Sequence, residues 1–133
     1  MGLFQSRARS LTLKNSYLSK GEMECQKALQ DLYPRYQFEK VRPPFLRNPR
    51  TGRNLELDFY CPELRLAVEF QGRQHYVYDK HFHKSQEDFY EQLERDRIKQ
   101  ELCTQHGIRL ITVPYTVSDV KEYLRWTTRR LNI

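Results

Sequence analysis

Residues 55–71 alternate apolar and polar side chains with a period of two, in two runs separated by a turn. Leu55, Leu57 and Phe59 precede Cys61-Pro62-Glu63, and Leu64, Leu66, Val68 and Phe70 follow it. That pattern predicts a β-hairpin with one buried face. Burial sets Leu57 opposite Val68 and Phe59 opposite Leu66, because a one-residue slip would put the apolar set of one arm in water. Asp58 then faces Ala67, and Glu69 is its diagonal neighbour on the polar face, roughly 7–8 Å away by Cα. Gln71 continues that face, and His75 lies just past Gly72.

The remaining elements follow from caps and periodicity. Ser19 and Glu22 have capping-box spacing and start a helix that runs to about Tyr33, with Cys25, Ala28, Leu29 and Leu32 as its apolar stripe. Pro34 ends it, and 36–41 reads as a strand. Residues 40–53, with five Lys or Arg, three Pro and one Gly, are too polar and broken for core and read as a surface loop or long hairpin tip. Helical spacing returns over 86–105, with Gly107 as a stop and with Phe89, Leu93, Cys103 and also Asp96 on one face. A strand follows at 108–113. A last helix begins near Ser118, with Val120, Leu124 and Leu131 inward and Arg125, Arg129 and Arg130 giving its outer side a basic character. The expected architecture is one α/β domain over 1–133, with a mixed sheet of about four strands flanked by helices, after a mobile basic arm at 1–17.

Charge changes this picture by halves. Residues 1–53 carry 11 Lys or Arg against 4 acids, and residues 54–133 carry 12 against 13, so the whole excess of +6 precedes the hairpin. Such asymmetry suits a phosphate backbone, as well as a merely solvated basic face. Lys40, Arg42, Arg47, Arg50, Arg53 and Arg73 are the expected nucleic-acid contacts. No apolar run approaches 18 residues and no apolar leader opens the chain, so an intracellular protein without stable membrane association is expected. The opening Met-Gly-Leu-Phe-Gln-Ser fits a myristoylation pattern, on which alone a membrane-anchored adaptor would rest. Three distant cysteines, Cys25, Cys61 and Cys103, point to reduced thiols rather than disulfides or a zinc knuckle.

The candidate chemistry sits on the hairpin. Two carboxylates on one face repel each other and desolvate poorly, which a divalent cation relieves and which bulk water on a wet sheet face relieves equally. Glu22 is explained by capping, by a role along the buried face, or by both. Asp96 in an apolar stripe is either paired with an Arg or placed to orient His75 or a water. His75, His81 and His83 have a zinc-like spacing but lack a local cysteine, so packing or nucleic-acid contact is the expected role.

Taken in order, SKGE (19–22), LDFY (57–60), VEFQGRQH (68–75), DRIK (96–99) and GIRLITVPY (107–115) resemble a branch of the PD-(D/E)XK nucleases related to the very short patch repair endonucleases and to homing endonucleases with a Glu, Asp, His, Asp signature. The resemblance implies a restriction-endonuclease-like core and metal-dependent hydrolysis of DNA phosphodiesters. By position, Glu22, Asp58, His75 and Asp96 match the signature, and Glu69 and Gln71 take the second-strand pair. Mg²⁺, with Mn²⁺ able to substitute, would lie on Asp58, Glu69 and Glu22; His75 would be the base or proton relay, and Asp96 would orient it. The family's lysine is Gln71 here and its proline is Leu57, so Lys99, one turn after Asp96, is the expected substitute charge. DNA is the expected partner, with a homodimer possible. The competing reading is a nucleic-acid-binding module of the same fold without catalysis.

Overall fold

The computed structural model describes residues 18–133, so the expected basic arm and the amino-terminal glycine lie outside the described residues. Helix α1 spans Lys20–Leu32 and strand β1 Glu39–Val41; a short 3-10 turn follows at Pro44–Leu46. The hairpin is β2, Leu57–Cys61, and β3, Leu66–Gln71, with a second 3-10 turn at Arg73–His75. Helix α2, Gln86–Gln105, then crosses to strand β4, Arg109–Pro114, and helix α3, Val120–Arg130, completes the order. The sheet order is β1-β2-β3-β4, antiparallel except for the parallel β3–β4 pair. Parallel neighbours need a long crossover, and α2 is that crossover. The protein is therefore mixed α/β, with a four-stranded mixed sheet and three helices.

Local chemistry accounts for most boundaries. The Ser19 side chain accepts from the Glu22 N–H and the Glu22 carboxylate accepts from the Ser19 N–H, a complete capping box. Ser85 caps α2 through the Asp88 N–H, and Gly107, at φ +69°, takes the left-handed turn after it. Asp119 caps α3, whose start at Val120 is close to the expected one near Ser118. Strand β1 starts only at Glu39, since Tyr36 is exposed and the edge is short.

Both faces of the sheet are covered. On one face Cys25, Ala28 and Leu29 of α1 and Val120 and Leu124 of α3 pack on Phe59, Cys61, Leu66, Val68, Ile111 and Val113. On the other, Cys103 joins Leu46, Leu57, Ala67 and Ile108. The loop read as wholly superficial thus contributes core: Leu46 is fully buried and Asn48 nearly so. Two expected core positions lie outside, because Leu93 on α2 and Leu131 after α3 are both exposed.

The hairpin register differs from the expected one by two residues. Phe59 pairs with Val68, Tyr60 with Ala67 and Cys61 with Leu66. The turn is longer than the sequence suggests, because Leu64 belongs to it and Arg65 closes it at φ +50°, a left-handed conformation usually left to glycine. A shift of two preserves the faces of Phe59, Leu66 and Val68. Leu57 is the exception. Glu39 pairs with Tyr60 but Val41 with Leu57, so Lys40 lies across from both Asp58 and Phe59, and β2 carries one extra residue. The irregularity turns Leu57 into the same cluster as Tyr60, opposite to the expectation.

Gly21 sets how closely α1 approaches the sheet. A Cβ there would come within 2.2–2.4 Å of the Phe70 ring. We expect Gly21→Ala to lose about 1–2 kcal/mol, the overpacking cost of roughly 1–3 kcal/mol exceeding a helix-propensity gain below about 1 kcal/mol. A urea titration checks this, and Phe70→Leu in the same chain should return part of the loss.

Candidate active site

Five elements deliver side chains to one polar region beside the carboxyl ends of β3 and β4. Glu69, on β3 between Val68 and Phe70, is 4% exposed, and its Oε1 accepts from the Lys99 Nζ at 2.6 Å. Lys99 reaches it from α2. The pair is buried, with side-chain exposures of 13% for Lys99 and 5% for Glu69. Burial raises the Glu69 carboxyl above its ordinary range, and the Lys99 ammonium opposes that shift.

Asp58 sits at the extra residue of β2, one step beyond the last paired rung with β3. One more rung would set it opposite Glu69. Its carboxyl is pushed up to about 7, first by burial, then by the negative charges of Glu69 and Glu22, with Lys99 and Lys40 pulling the other way. Glu22 therefore acts on Asp58 through space from the first turn of α1, where it also closes the cap. Cys25, one turn further along α1, feels Asp58 as well; its thiol rises to about 12, chiefly by burial.

His75 ends the 3-10 turn after β3, and its Nδ1 lies 2.9 Å from Asp96 Oδ2 on α2. Asp96 thus meets His75 rather than an arginine. Gln71 is buried, and its Oε1 accepts from the Tyr76 hydroxyl at 2.8 Å, so no cation occupies that strand position.

The stripe that faces the site on α2 is Phe89, Gln92, Asp96, Lys99 and Cys103, a polar seam at helical spacing instead of the apolar one expected from Phe89, Leu93 and Cys103. Gln92 is the member that sequence reasoning missed, and His83, expected to serve packing or nucleic-acid contact, packs beside it. The Gln92 Oε1 lies 2.9 Å from His83 Nε2, and its Nε2 lies 3.4–3.5 Å from the two ring nitrogens of His75. Gln92 stands one helical turn before Asp96, a spacing that would have revealed it had polar rather than apolar periodicity been sought. His83 is buried and hydrogen-bonded at both nitrogens, whereas His81 is exposed, so the three histidines do not form one group.

The donor set decides what ion the site suits. Asp58 and Glu69 are two oxygen donors whose ionisation burial opposes, and Mg²⁺ binds through one or two carboxylates while keeping several waters. Among the described residues no three His, Cys, Asp or Glu side chains form a group fit to hold a metal, so Asp58, Glu69 and Glu22 are not gathered into one ligand set. The fit is to a hard, mostly hydrated cation and not to a closed zinc site.

The basic residues divide into two groups. Lys40 and Arg42 pair with Glu56 at 3.5 and 3.1 Å. Arg47, Arg50 and Arg53 are exposed on the 47–54 hairpin tip, which is held by Asn48: its N–H donates to the Arg53 carbonyl and its Oδ1 accepts from the Arg50 N–H. Arg50 borders a cleft shared with Glu91, Glu94 and Arg95 of α2, so the basic tip lies against the helix that carries Asp96 and Lys99. Arg73 is exposed two residues before His75.

The Asp58 shift has a direct consequence for stability. In the unfolded chain the carboxyl ionises near pH 3.9, whereas in the folded chain it holds its proton to about 7. Between those values the folded state binds the extra proton, so rising pH destabilises it, and the full penalty stands above pH 7. Asp58→Asn should therefore raise the urea midpoint most above about pH 7, with the gain vanishing below about pH 4. A gain independent of pH would contradict the assignment.

No family model matches the chain, and no solved structure matches it. Three viral proteins do. Uncharacterized protein 094L of Frog virus 3 (isolate Goorha) is 49% identical over 108 residues, covering 80% of this chain and 69% of its own length. Uncharacterized protein 033L of Invertebrate iridescent virus 3 is 44% identical over 108 residues, and uncharacterized protein 307L of Invertebrate iridescent virus 6 is 42% identical over 120. The chain spans 55% and 61% of the lengths of those two proteins. With 49% identity over an alignment that covers 80% of this chain and 69% of the Frog virus 3 protein, the chain belongs to the viral protein family that includes 094L.

Proposed function

We propose that this protein is a Mg²⁺-dependent endonuclease that hydrolyses DNA phosphodiester bonds on a restriction-endonuclease-like core. The observation that carries the reading is the 2.6 Å contact between Lys99 Nζ and Glu69 Oε1. In the nucleases that the sequence resembles, the lysine follows the glutamate by two residues on the same strand; here that position is Gln71, and a lysine from α2 reaches the same carboxylate. A charge displaced in sequence but retained in space supports a functional cluster over a solvated sheet face.

The residues have separate tasks. Asp58 and Glu69 would hold the cation, which supplies charge neutralisation on the phosphate and a more acidic water. His75 accepts the proton of the attacking water at Nε2, since Nδ1 is turned to Asp96. The Asp96 carboxylate then stabilises the imidazolium that forms. Lys99 opposes the effect of burial on Glu69 and would place a positive charge near a bound phosphate, whose leaving sugar oxygen takes its proton from water. Glu22 reinforces the local negative potential that draws a cation to Asp58. The exposed Arg47, Arg50, Arg53 and Arg73, together with Lys40 and Arg42, would hold the sugar-phosphate backbone.

Supercoiled plasmid incubated with Mg²⁺, Mn²⁺ or EDTA tests the reading. Cleavage is expected with either metal and none with EDTA. Asp58→Ala should abolish it while sparing DNA binding, and His75→Ala should retain activity about 10²- to 10⁴-fold slower. Plasmid that is bound but left intact by the wild-type chain would instead establish a binding module.

The salt dependence of DNA binding tests the basic tip separately. Changing Arg47, Arg50 and Arg53 together to Ala should lower the slope of log affinity against log salt by about 0.9 for each phosphate no longer neutralised. An unchanged slope would remove this loop from the interface.

A further inference from the structure

His83 takes no part in the proposed reaction, yet it is 3% exposed and polar. Its ring stacks on Tyr78 at 5.8 Å and meets the Phe89 ring edge-on at 5.3 Å, so its orientation is fixed by packing. The Asp79 N–H donates to His83 Nδ1 at 3.0 Å. A peptide N–H can only donate, so Nδ1 carries a lone pair and the ring hydrogen is on Nε2. That hydrogen points at Gln92 Oε1, 2.9 Å away. The amide is thereby oriented with its oxygen toward His83 and its NH₂ toward His75.

The NH₂ nitrogen lies 3.5 Å from His75 Nδ1 and 3.4 Å from Nε2. Near-equal distances to two ring nitrogens place the amide against the ring as a whole rather than along either lone pair. An NH₂ group is only a donor and Asp96 is only an acceptor. The Nδ1 hydrogen of His75 is accordingly the one shared with Asp96, at 2.9 Å, and Nε2 is left with its lone pair.

We infer that His83 and Gln92 are positioning residues, which transmit the fixed direction of the Asp79 peptide N–H to His75 and hold its ring plane in register with Asp96, so that Asp96 keeps the Nδ1 hydrogen and Nε2 stays available as the base. The inference rests on the proposed role of His75. Neither residue touches the reacting atoms. Their action is on which nitrogen of His75 is basic and on the plane of its ring.

Long-range ¹H–¹⁵N spectra of the ¹⁵N-labelled chain at about pH 8, where free imidazole is neutral, read the hydrogen position in each ring directly. In the wild type, His75 should show the Nδ1–H pattern and His83 the Nε2–H pattern. Gln92→Ala, which keeps a strong helix former in α2, should convert His75 to a mixture of tautomers. His83→Phe, which retains the stacking, should reproduce the Gln92→Ala spectrum. In the plasmid assay Gln92→Ala should lower kcat about 10- to 100-fold and leave KM within about twofold. A wild-type His75 bearing its hydrogen on Nε2, or a His75 spectrum unchanged in Gln92→Ala, would overturn the inference. Absence of cleavage by the wild-type chain would overturn the nuclease reading alone, because the tautomer is read without turnover.

Discussion

The buried ion pair of Glu69 and Lys99 is the constraint to which the rest of the structure conforms. A carboxylate in mid-strand beneath a helix has a desolvation cost of several kcal/mol, and only a close partner offsets it. Lys99 meets that requirement if α2 lies across β3 at one height and one rotation. The same rotation sets Asp96 beside His75 one turn earlier and Gln92 another turn before that. The polar seam therefore follows from a single electrostatic requirement combined with the 3.6-residue repeat.

A hydrophobic pair of the same volume would serve the fold at least as well. Retaining a charged pair on the buried side of the sheet, next to an aspartate that burial keeps partly protonated near neutrality, leaves the region with unmet demand for positive charge. The second core cluster shields this region from below, through Leu46, Leu57, Ala67 and Cys103.

Much of this was legible in the chain itself. The capping box of Ser19 and Glu22, the bounds of α2, and the hairpin with Asp58 and Glu69 near each other all follow from spacing and caps. The register did not, because it depends on Arg65 adopting a left-handed conformation that no local pattern announces. Leu57 was misplaced because an extra residue in β2 is a property of its pairing with β1 and not of β2 alone. Gln92 escaped notice for a different reason: it is an ordinary polar residue until a tertiary contact gives its hydrogen bonds a direction.

The parallel pairing of β3 with β4 also has a kinetic side. These strands are separated by roughly forty residues, all of α2 included, and closing a loop of that length must precede any reward from the contacts it makes. Glu69 lies on one strand and Lys99 within the crossover, so the two charges stay hydrated until the crossover has docked. Water leaves the carboxylate late in folding, and the region where chemistry is proposed is among the last to become ordered. Local opening of the same segment in the folded protein would readmit water to Glu69 first, which makes the crossover the natural unit of partial unfolding.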